Sequence, residues 1–353
     1  MRRNTLSLAA GSAVAAALLM TSASGAGAQE ATTVAFLMPD QASTRYEEHD
    51  WPGFEAAMKE LCADCTLIYQ NANADVALQQ QQFNSVIAQG ATIVVLDPVD
   101  SSAAAGLVEI AKSQNVKVIA YDRPIPDTPA DYYVSFDNEG IGYAIAQSLV
   151  EHLKASGVED GAGVLQINGS PTDAAAGLIR DGIDRALDAS AYKTLAEFDT
   201  PDWAPPRAQE WAAGQITRFG AEIEGIVAAN DGTAGGAIAA LKAAGADPLP
   251  PVTGNDATIA ALQLIIAGDQ YNTISKPSEI VARAAAEVAV AFMKGETPEA
   301  ETTLYETPSR LFVPDVVTRE NVKELVFDAG IQTPDEVCTG EYVEPCKELG
   351  ITE

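Results

Sequence analysis

The chain has 353 residues, of which 21 are basic and 50 acidic, and its formal net charge at pH 7 is −29. This balance excludes a nucleic-acid-binding surface, because phosphate contacts need clustered lysine and arginine. It also disfavours binding to anionic lipid, which attracts basic segments. Self-repulsion that keeps the protein soluble explains most of the charge, and docking of acidic patches onto a basic partner is the alternative.

The first 28 residues have the composition of a secretory signal peptide. Arg2 and Arg3 precede an apolar run over residues 9–20, and small residues then lead to an A-x-A cleavage pattern at residues 26–28. The apolar run is short for a membrane span. We therefore expect export to the periplasm and cleavage near Ala28, which removes two arginines and changes the charge to −31.

From residue 33 onward, β-rich runs alternate with helical patterns. The predicted elements are strand 33–38, helix 53–61, strand 66–69, helix 74–89, strand 92–96, helix 101–114 and strands 116–121 and 132–136. The alternation resumes with helix 141–153, strand 163–167, helix 174–187, strand 194–198, helix 207–219, strand 225–229, helix 232–244, strand 270–274, helix 277–294 and the extended run 303–313. This βαβα order predicts an α/β fold with parallel, doubly wound sheets.

The length predicts two lobes, since about 325 residues after the cleavage site exceed a single comfortable core. We assign residues 29–136 and 275–304 to an N-terminal lobe, and residues 137–274 and 305–353 to a C-terminal lobe. A chain that crosses between lobes several times forms a multi-segment hinge, which permits one lobe to close onto the other.

Four cysteines, Cys62, Cys65, Cys338 and Cys346, occur in this exported chain. They allow three pairings, of which the sequence-local one is simplest, and an oxidising compartment favours it. Each short loop closed in this way stabilises the fold by about 2 kcal/mol. A four-cysteine zinc site is the alternative.

Polar residues follow two neighbouring predicted strands at the point where each ends. Asp122 and Arg123 follow strand 116–121, and Asp137 and Asn138 follow the next strand. Side chains at the carboxyl ends of parallel strands project into the crevice where open α/β sheets bind ligands. A carboxylate, a guanidinium and an amide supply the acceptors and donors that a polyhydroxylated ligand needs.

Two further junctions, ANDG at residues 229–232 and GND at 254–256, repeat this design, and we expect each to follow a strand and open a helix. Helix capping explains one such junction equally well, because Asp and Asn are favoured N-caps. Repetition favours a second role, in which one residue caps and its neighbour faces the cleft. Asp122 and Arg123 are harder to explain as caps, because prolines follow; a structural ion pair is their alternative role.

The sequence offers little for catalysis. Neither His49 nor His152 has a metal-ligand spacing, and the G-x-S-x-G and phosphate-loop motifs are missing from the sequence. Asp122 and Asp137 could form the paired carboxylates of a glycosidase, but spacing in the sequence does not give their separation. We expect no enzyme activity and no cofactor.

Seven phrases in the mature chain carry a family resemblance. They are YDRPI at 121–125, SFDNEGIG at 135–142, NGSPTD at 168–173, ANDGTAGGAIAAL at 229–241, GND at 254–256, SKP at 275–277 and PSRL at 308–311. With these phrases in this order, the chain resembles the class I periplasmic sugar-binding proteins of ABC importers, and among them the D-xylose-binding members.

The resemblance implies a soluble, monomeric receptor that closes on one monosaccharide and presents it to an ABC permease in the cytoplasmic membrane. The sugar-binding residues that it implies are Arg45, Tyr46, Asp122, Arg123, Asp137, Asn138, Trp203, Asn230, Asp256 and Lys276. Trp203 would stack on the sugar, while the charged and amide groups would bind its hydroxyls and ring oxygen.

The chain departs from the xylose-binding pattern at several positions. Tyr46 replaces a tryptophan, residues 174–176 are alanines where the pattern has asparagines, Ser275 replaces an aromatic residue, and all four cysteines lie outside the pattern. These changes leave room for a hexose or another pentose. The alternatives in other classes are a periplasmic sensor for chemotaxis or a histidine kinase, and a repressor-like regulator, which the export signal and acidic charge disfavour.

Overall fold

The computed structural model describes residues 32–313 and 315–351. The predicted signal peptide and its cleavage site near Ala28 lie outside these residues. Within the described ranges, the helices are too short or too polar to cross a membrane.

The strands and helices alternate along most of the described chain. The strands are β1 (Thr33–Met38), β2 (Thr66–Asn71), β3 (Ala91–Leu96), β4 (Lys117–Tyr121), β5 (Tyr132–Phe136), β6 (Gly163–Asn168), β7 (Lys193–Asp199), β8 (Ile223–Ala228), β9 (Asn272–Ser275), β10 (Thr302–Leu304), β11 (Thr307–Phe312) and β12 (Asp315–Thr318). The α-helices are α1 (Trp51–Leu61), α2 (Val76–Ala88), α3 (Ala104–Ser113), α4 (Asn138–Ala155), α5 (Ala174–Asp188), α6 (Pro205–Phe219), α7 (Asp231–Ala243), α8 (Ile259–Ala267), α9 (Ser278–Met293), α10 (Pro334–Val337) and α11 (Val343–Glu348).

The first sheet has seven strands in the order β10-β11-β5-β4-β3-β1-β2, and all neighbours are parallel except the pair β10–β11. Alternate residues of β1 face opposite sides, as the pleat requires. Phe36 packs in the apolar cluster that contains residues of α1 and α9, and Leu37 packs in the cluster that contains residues of α2 and α3. Helices therefore cover both faces of this sheet.

The second sheet contains β7, β6 and β8, which are parallel. Val164 of β6 packs with residues of α4 and α5, and Leu165 packs with residues of α6 and α7. Val252 forms a bridge to Ile226 of β8, and β9 pairs antiparallel with β12 nearby. Two parallel, doubly wound sheets confirm the predicted fold class.

The C-terminal third of the chain differs from the prediction. The expected C-terminal lobe included residues 305–353, but β11 pairs with β5 in the first sheet, with Ser309 opposite Tyr133. The turn between β10 and β11 has positive φ at Tyr305 and Glu306 (48° and 60°), which lets β10 fold back onto β11. That part of the lobe assignment is wrong, because the free edge of β5 takes up β11, and the chain crosses only after Phe312.

Four C-terminal elements were not predicted: α8, β12, α10 and α11. Helix α8 reads IAALQLIIA and is apolar on most of its circumference, so it lacks the 3.6-residue period that marks a surface helix. It packs with Val337 and Cys346 in a separate apolar cluster. The sequence-local disulfides Cys62–Cys65 and Cys338–Cys346 both form, so the predicted pairing is confirmed.

Candidate functional site

A cavity of about 20 Å³ lies where the carboxyl ends of the two sheets face each other. This volume is far below the range for small-molecule sites, about 300–1,000 Å³, and ion pairs between the two halves of the molecule cross the cavity. Eight of the ten predicted sugar-binding residues line it: Arg45, Tyr46, Asp122, Asn138, Trp203, Asn230, Asp256 and Lys276. Arg123 and Asp137 are not among the lining residues. The remaining lining residues are Ser43, Asp173, Ala175, Ile179 and Asn255.

Two cations and two carboxylates meet at the centre of the cavity wall. Arg45 Nη2 lies 2.6 Å from Asp122 Oδ2, and Lys276 Nζ lies 3.2 Å from Asp256 Oδ1. Longer contacts join Arg45 Nε to Asp256 (3.6 Å) and Lys276 Nζ to Asp122 (3.7 Å). These residues come from both sheets, so the charges bridge the two halves of the molecule.

Asp122 is ionised in this setting. Burial alone raises the pKa of its carboxyl, but the neighbouring cations Arg45, Lys276 and Arg123 outweigh burial and hold the pKa below its ordinary value. The Tyr46 hydroxyl also donates to Asp122 Oδ2 at 3.1 Å. Charge-assisted hydrogen bonds are the strong ones, so an ionised Asp122 is a good acceptor for a ligand hydroxyl.

Arg123 lies beside the cavity and orients one of its walls. Its Nη2 donates to Asp40 Oδ2 at 2.7 Å, and its Nε lies 3.2 Å from Asp173 Oδ2 and 3.5 Å from Asp97 Oδ1. Asp173 lines the cavity, whereas the fully buried Asp97 carboxylate has no hydrogen-bond partner among the described residues. Arg123 thus makes the ion pairs that the sequence offered as its alternative role, and its sugar-binding role stays a prediction.

Trp203 forms an aromatic wall of the cavity and is held by Asp173, whose Oδ2 accepts from the indole Nε1 at 3.0 Å. Gly169 makes this position possible, because a Cβ at residue 169 would lie 2.1 Å from the indole ring. The ring therefore has a defined orientation in the wall, as a stacking role requires.

Three lining residues have strained backbone conformations. The φ angles are 56° at Asp122, 55° at Trp203 and 110° at Asp256, all in the region that L-residues rarely adopt. Such residues cost about 1–3 kcal/mol each and cluster at ligand-binding sites. The cavity combines this strain with buried charge, which is typical of a functional site.

The predicted division between capping and cleft-facing residues holds at one junction. Asp137 caps α4 by accepting from Gly140 N at 3.0 Å, and its neighbour Asn138 lines the cavity. Asn230 does both, since it caps α7 and lines the cavity. The prediction is wrong at Asp256: no regular strand precedes it, and α8 begins only after the N-cap Thr258.

Four lining residues, Ser43, Asp173, Ile179 and Asn255, were missed by sequence reasoning. Asp173 and Asn255 lie in the phrases NGSPTD and GND, so the resemblance offered a signal for both. Asn255 is 2% exposed, and its Oδ1 has no partner within the described residues. Ser43 and Ile179 carry no motif. Ala175, one of the alanines that depart from the xylose-binding pattern, gives one wall an apolar character together with Ile179.

Asp231 is a buried acid next to the cavity, at the start of α7. Burial, and then the charge of Asp256, raise its pKa to about 7, although hydrogen bonds from Thr258, Thr273 and Gln270 oppose the shift. An acid with a raised pKa in the folded state contributes stability at low pH that is lost as the pH rises through that value.

We therefore expect the free energy of unfolding to fall, through Asp231, between about pH 4, its unfolded pKa, and pH 7. The Asp231→Asn variant should lose this component, on the order of 3 kcal/mol. Denaturant unfolding at several pH values measures it. Equal pH dependence in the variant and the wild type would show that Asp231 is ionised throughout.

Comparison with known proteins places this site in a family. A family model described as a periplasmic binding protein domain matches residues 34–297. The chain belongs to that family. The D-xylose-binding periplasmic protein of Escherichia coli (strain K12) is 34% identical over 276 residues, which cover 76% of this chain and 82% of that protein.

Other similar proteins are named for several sugars or for a different sugar. The multiple sugar-binding periplasmic receptor ChvE of Rhizobium radiobacter is 28% identical over 361 residues, covering 95% of this chain and 99% of the receptor. An ABC transporter solute-binding protein from Clostridium phytofermentans, solved with bound β-D-glucose, superposes with a TM-score of 0.79 at 28% identity, covering 87% of this chain and 100% of that one. The family resemblance seen in the sequence and the class I fold are confirmed.

Proposed function

We propose that this protein is the solute-binding receptor of an ABC importer, located in the periplasm, and that it binds one monosaccharide in the cavity between its two sheets. The observation that carries the proposal is the set of ionised and amide groups that converges on the cavity between the two sheets. The relatives named for D-xylose and multiple sugars, and the neighbour solved with glucose, support the same ligand class.

The ligand is expected to be D-xylose or a related pentose or hexose. Asp122 and Asp256 supply acceptors, Arg45 and Lys276 supply donors, and Trp203 supplies an apolar face for the sugar C–H groups. A buried polar wall makes each unmatched hydroxyl costly, which gives selectivity.

Binding is expected to favour a closed arrangement of the two halves. The chain crosses between the two halves of the molecule after β5, after β9 and after β11, and these three segments form the proposed hinge. Arg45 and Lys276, on one side of the cavity, reach Asp256 on the other. A sugar that contacts both sides stabilises the closed state by its differential affinity.

A thermal-shift and calorimetric screen against pentoses, hexoses and polyols tests the function. A sugar at one hundred times its dissociation constant is expected to stabilise the protein by about 2.7 kcal/mol. Sucrose or an amino acid at equal concentration serves as the negative control. If no monosaccharide binds and the protein hydrolyses a glycoside, the proposed function is wrong and the protein is an enzyme.

A further inference from the structure

Two loops from opposite halves of the molecule meet beside the cavity. One loop, residues 97–101, follows β3 of the first sheet, and the other, residues 169–173, follows β6 of the second sheet. Ser101 N donates to Thr172 O at 2.9 Å, and Ser101 Oγ accepts from Ala174 N at 3.1 Å. The first half of the molecule therefore holds the start of α5, a helix that belongs to the second half.

The N-terminus of α5 is capped from both halves. The first N–H groups of a helix have no partner within that helix. Asp173, the N-cap residue, accepts from Ala175 N at 2.8 Å, whereas Ala174 N donates to the Ser101 hydroxyl of the other half. Ser101 is 2% exposed, so this hydrogen bond is shielded from water. Separation of the two halves would break it and return both groups to solvent.

Each of the two loops is ordered by its own half. Gln79 of α2 donates to Asp97 O at 2.8 Å and accepts from Val99 N at 2.8 Å, so one amide fixes the backbone of the first loop. In the second loop, Asp173 N donates to Ser170 O at 3.1 Å. Because each loop is held within its own half, the contact joins two preformed surfaces, and little ordering opposes its formation.

The second loop also connects this contact to the cavity. Asp173 lines the cavity, and its Oδ2 accepts from Trp203 Nε1 at 3.0 Å. Arg123 Nε, from the first half, lies 3.2 Å from the same oxygen. Ser101 does not line the cavity, but it holds the loop whose carboxylate orients the aromatic wall.

We propose that Ser101 is a positioning residue that fastens the two halves together around a bound monosaccharide and so slows its release. This inference rests on the proposed function, because it needs a sugar that binds between the halves. The Ser101 hydrogen bonds form only when the halves meet, after the sugar has entered. Their loss therefore affects dissociation of the sugar and leaves its association unchanged.

Stopped-flow tryptophan fluorescence tests this role, because Trp203 lines the cavity. The probe is D-xylose, or whichever pentose or hexose binds most tightly in the screen. Ser101→Ala removes the hydroxyl that caps α5, and loss of a helix cap corresponds to roughly a fivefold change in an equilibrium constant. We expect the dissociation rate constant to rise about fivefold and the association rate constant to stay within about twofold of the wild type. Ser102→Ala, at the exposed neighbouring position, is the matched control and should have wild-type rates.

Circular dichroism shows whether Ser101→Ala folds, and Ser101→Gly, which removes the same hydroxyl, replaces it if it does not. A Ser101 variant that binds the sugar and releases it at the wild-type rate would overturn the inference and leave the proposed function standing. Slower association with unchanged dissociation would also overturn it, because Ser101 would then act before the halves close. If no sugar binds the wild type, the proposed function fails and this inference fails with it.

Discussion

Replacing Arg123 with methionine is expected to lower the free energy of unfolding by about 3–5 kcal/mol, the usual cost of removing one partner from a buried ion pair. Arg123 is 3% exposed and faces three carboxylates, those of Asp40, Asp97 and Asp173. Without the guanidinium, these acids are buried together with no compensating charge. Urea unfolding of the sugar-free protein measures the loss.

Two further variants give this experiment its controls. Arg283→Met removes an exposed arginine that pairs with Glu60, and it should leave the free energy of unfolding nearly unchanged, because solvent screens exposed ion pairs. Adding Asp97→Asn to Arg123→Met should restore part of the stability, because it removes one uncompensated charge. If Arg123→Met is as stable as Arg283→Met, the buried carboxylates are neutral in the folded protein and the ion-pair account is wrong.

The second large effect concerns ligand affinity. Asp122→Asn is expected to weaken binding of the best sugar by about 2–5 kcal/mol, a factor of roughly 30 to several thousand. The substitution keeps the shape of the side chain and removes the charge that pairs with Arg45 and Lys276. Asparagine also tolerates the positive φ of 56° at this position better than alanine does.

Calorimetry of Asp122→Asn, beside thermal unfolding to verify the fold, measures this effect. Asp269→Asn is the matched control, because Asp269 pairs with Lys242 at the surface, and its affinity should equal that of the wild type. An affinity of Asp122→Asn within threefold of the wild type would remove Asp122 from the site.

The order of strands and helices up to α7 and the polar strand ends could be predicted from the sequence, because both depend on local patterns. Asp122 and Asn138 directly follow strands in a parallel sheet, so the fold class alone brings them to one edge. Of the eight predicted residues that line the cavity, only Asp122, Asn138, Asn230 and Lys276 follow strands closely in this way.

The differences between the prediction and the structure concern contacts that no local pattern records. Adjacent residues point in different directions, so Asp122 lines the cavity whereas Arg123 turns towards Asp40 and Asp97. The position of β11 depends on the free edge of β5, more than 170 residues earlier in the chain. Helix α8 is apolar on nearly every side, and its burial beneath the C-terminal segment removes the period that would identify it.

The late insertion of β11 has a consequence for folding. The first sheet begins with β1 at Thr33, yet its last two strands end only at Phe312, and the second half receives β12 from residues that follow immediately. Neither half is a continuous segment of the chain, and both depend on pairings between distant residues, which form slowly. During synthesis, therefore, neither half of this protein is complete until almost the whole chain has been made.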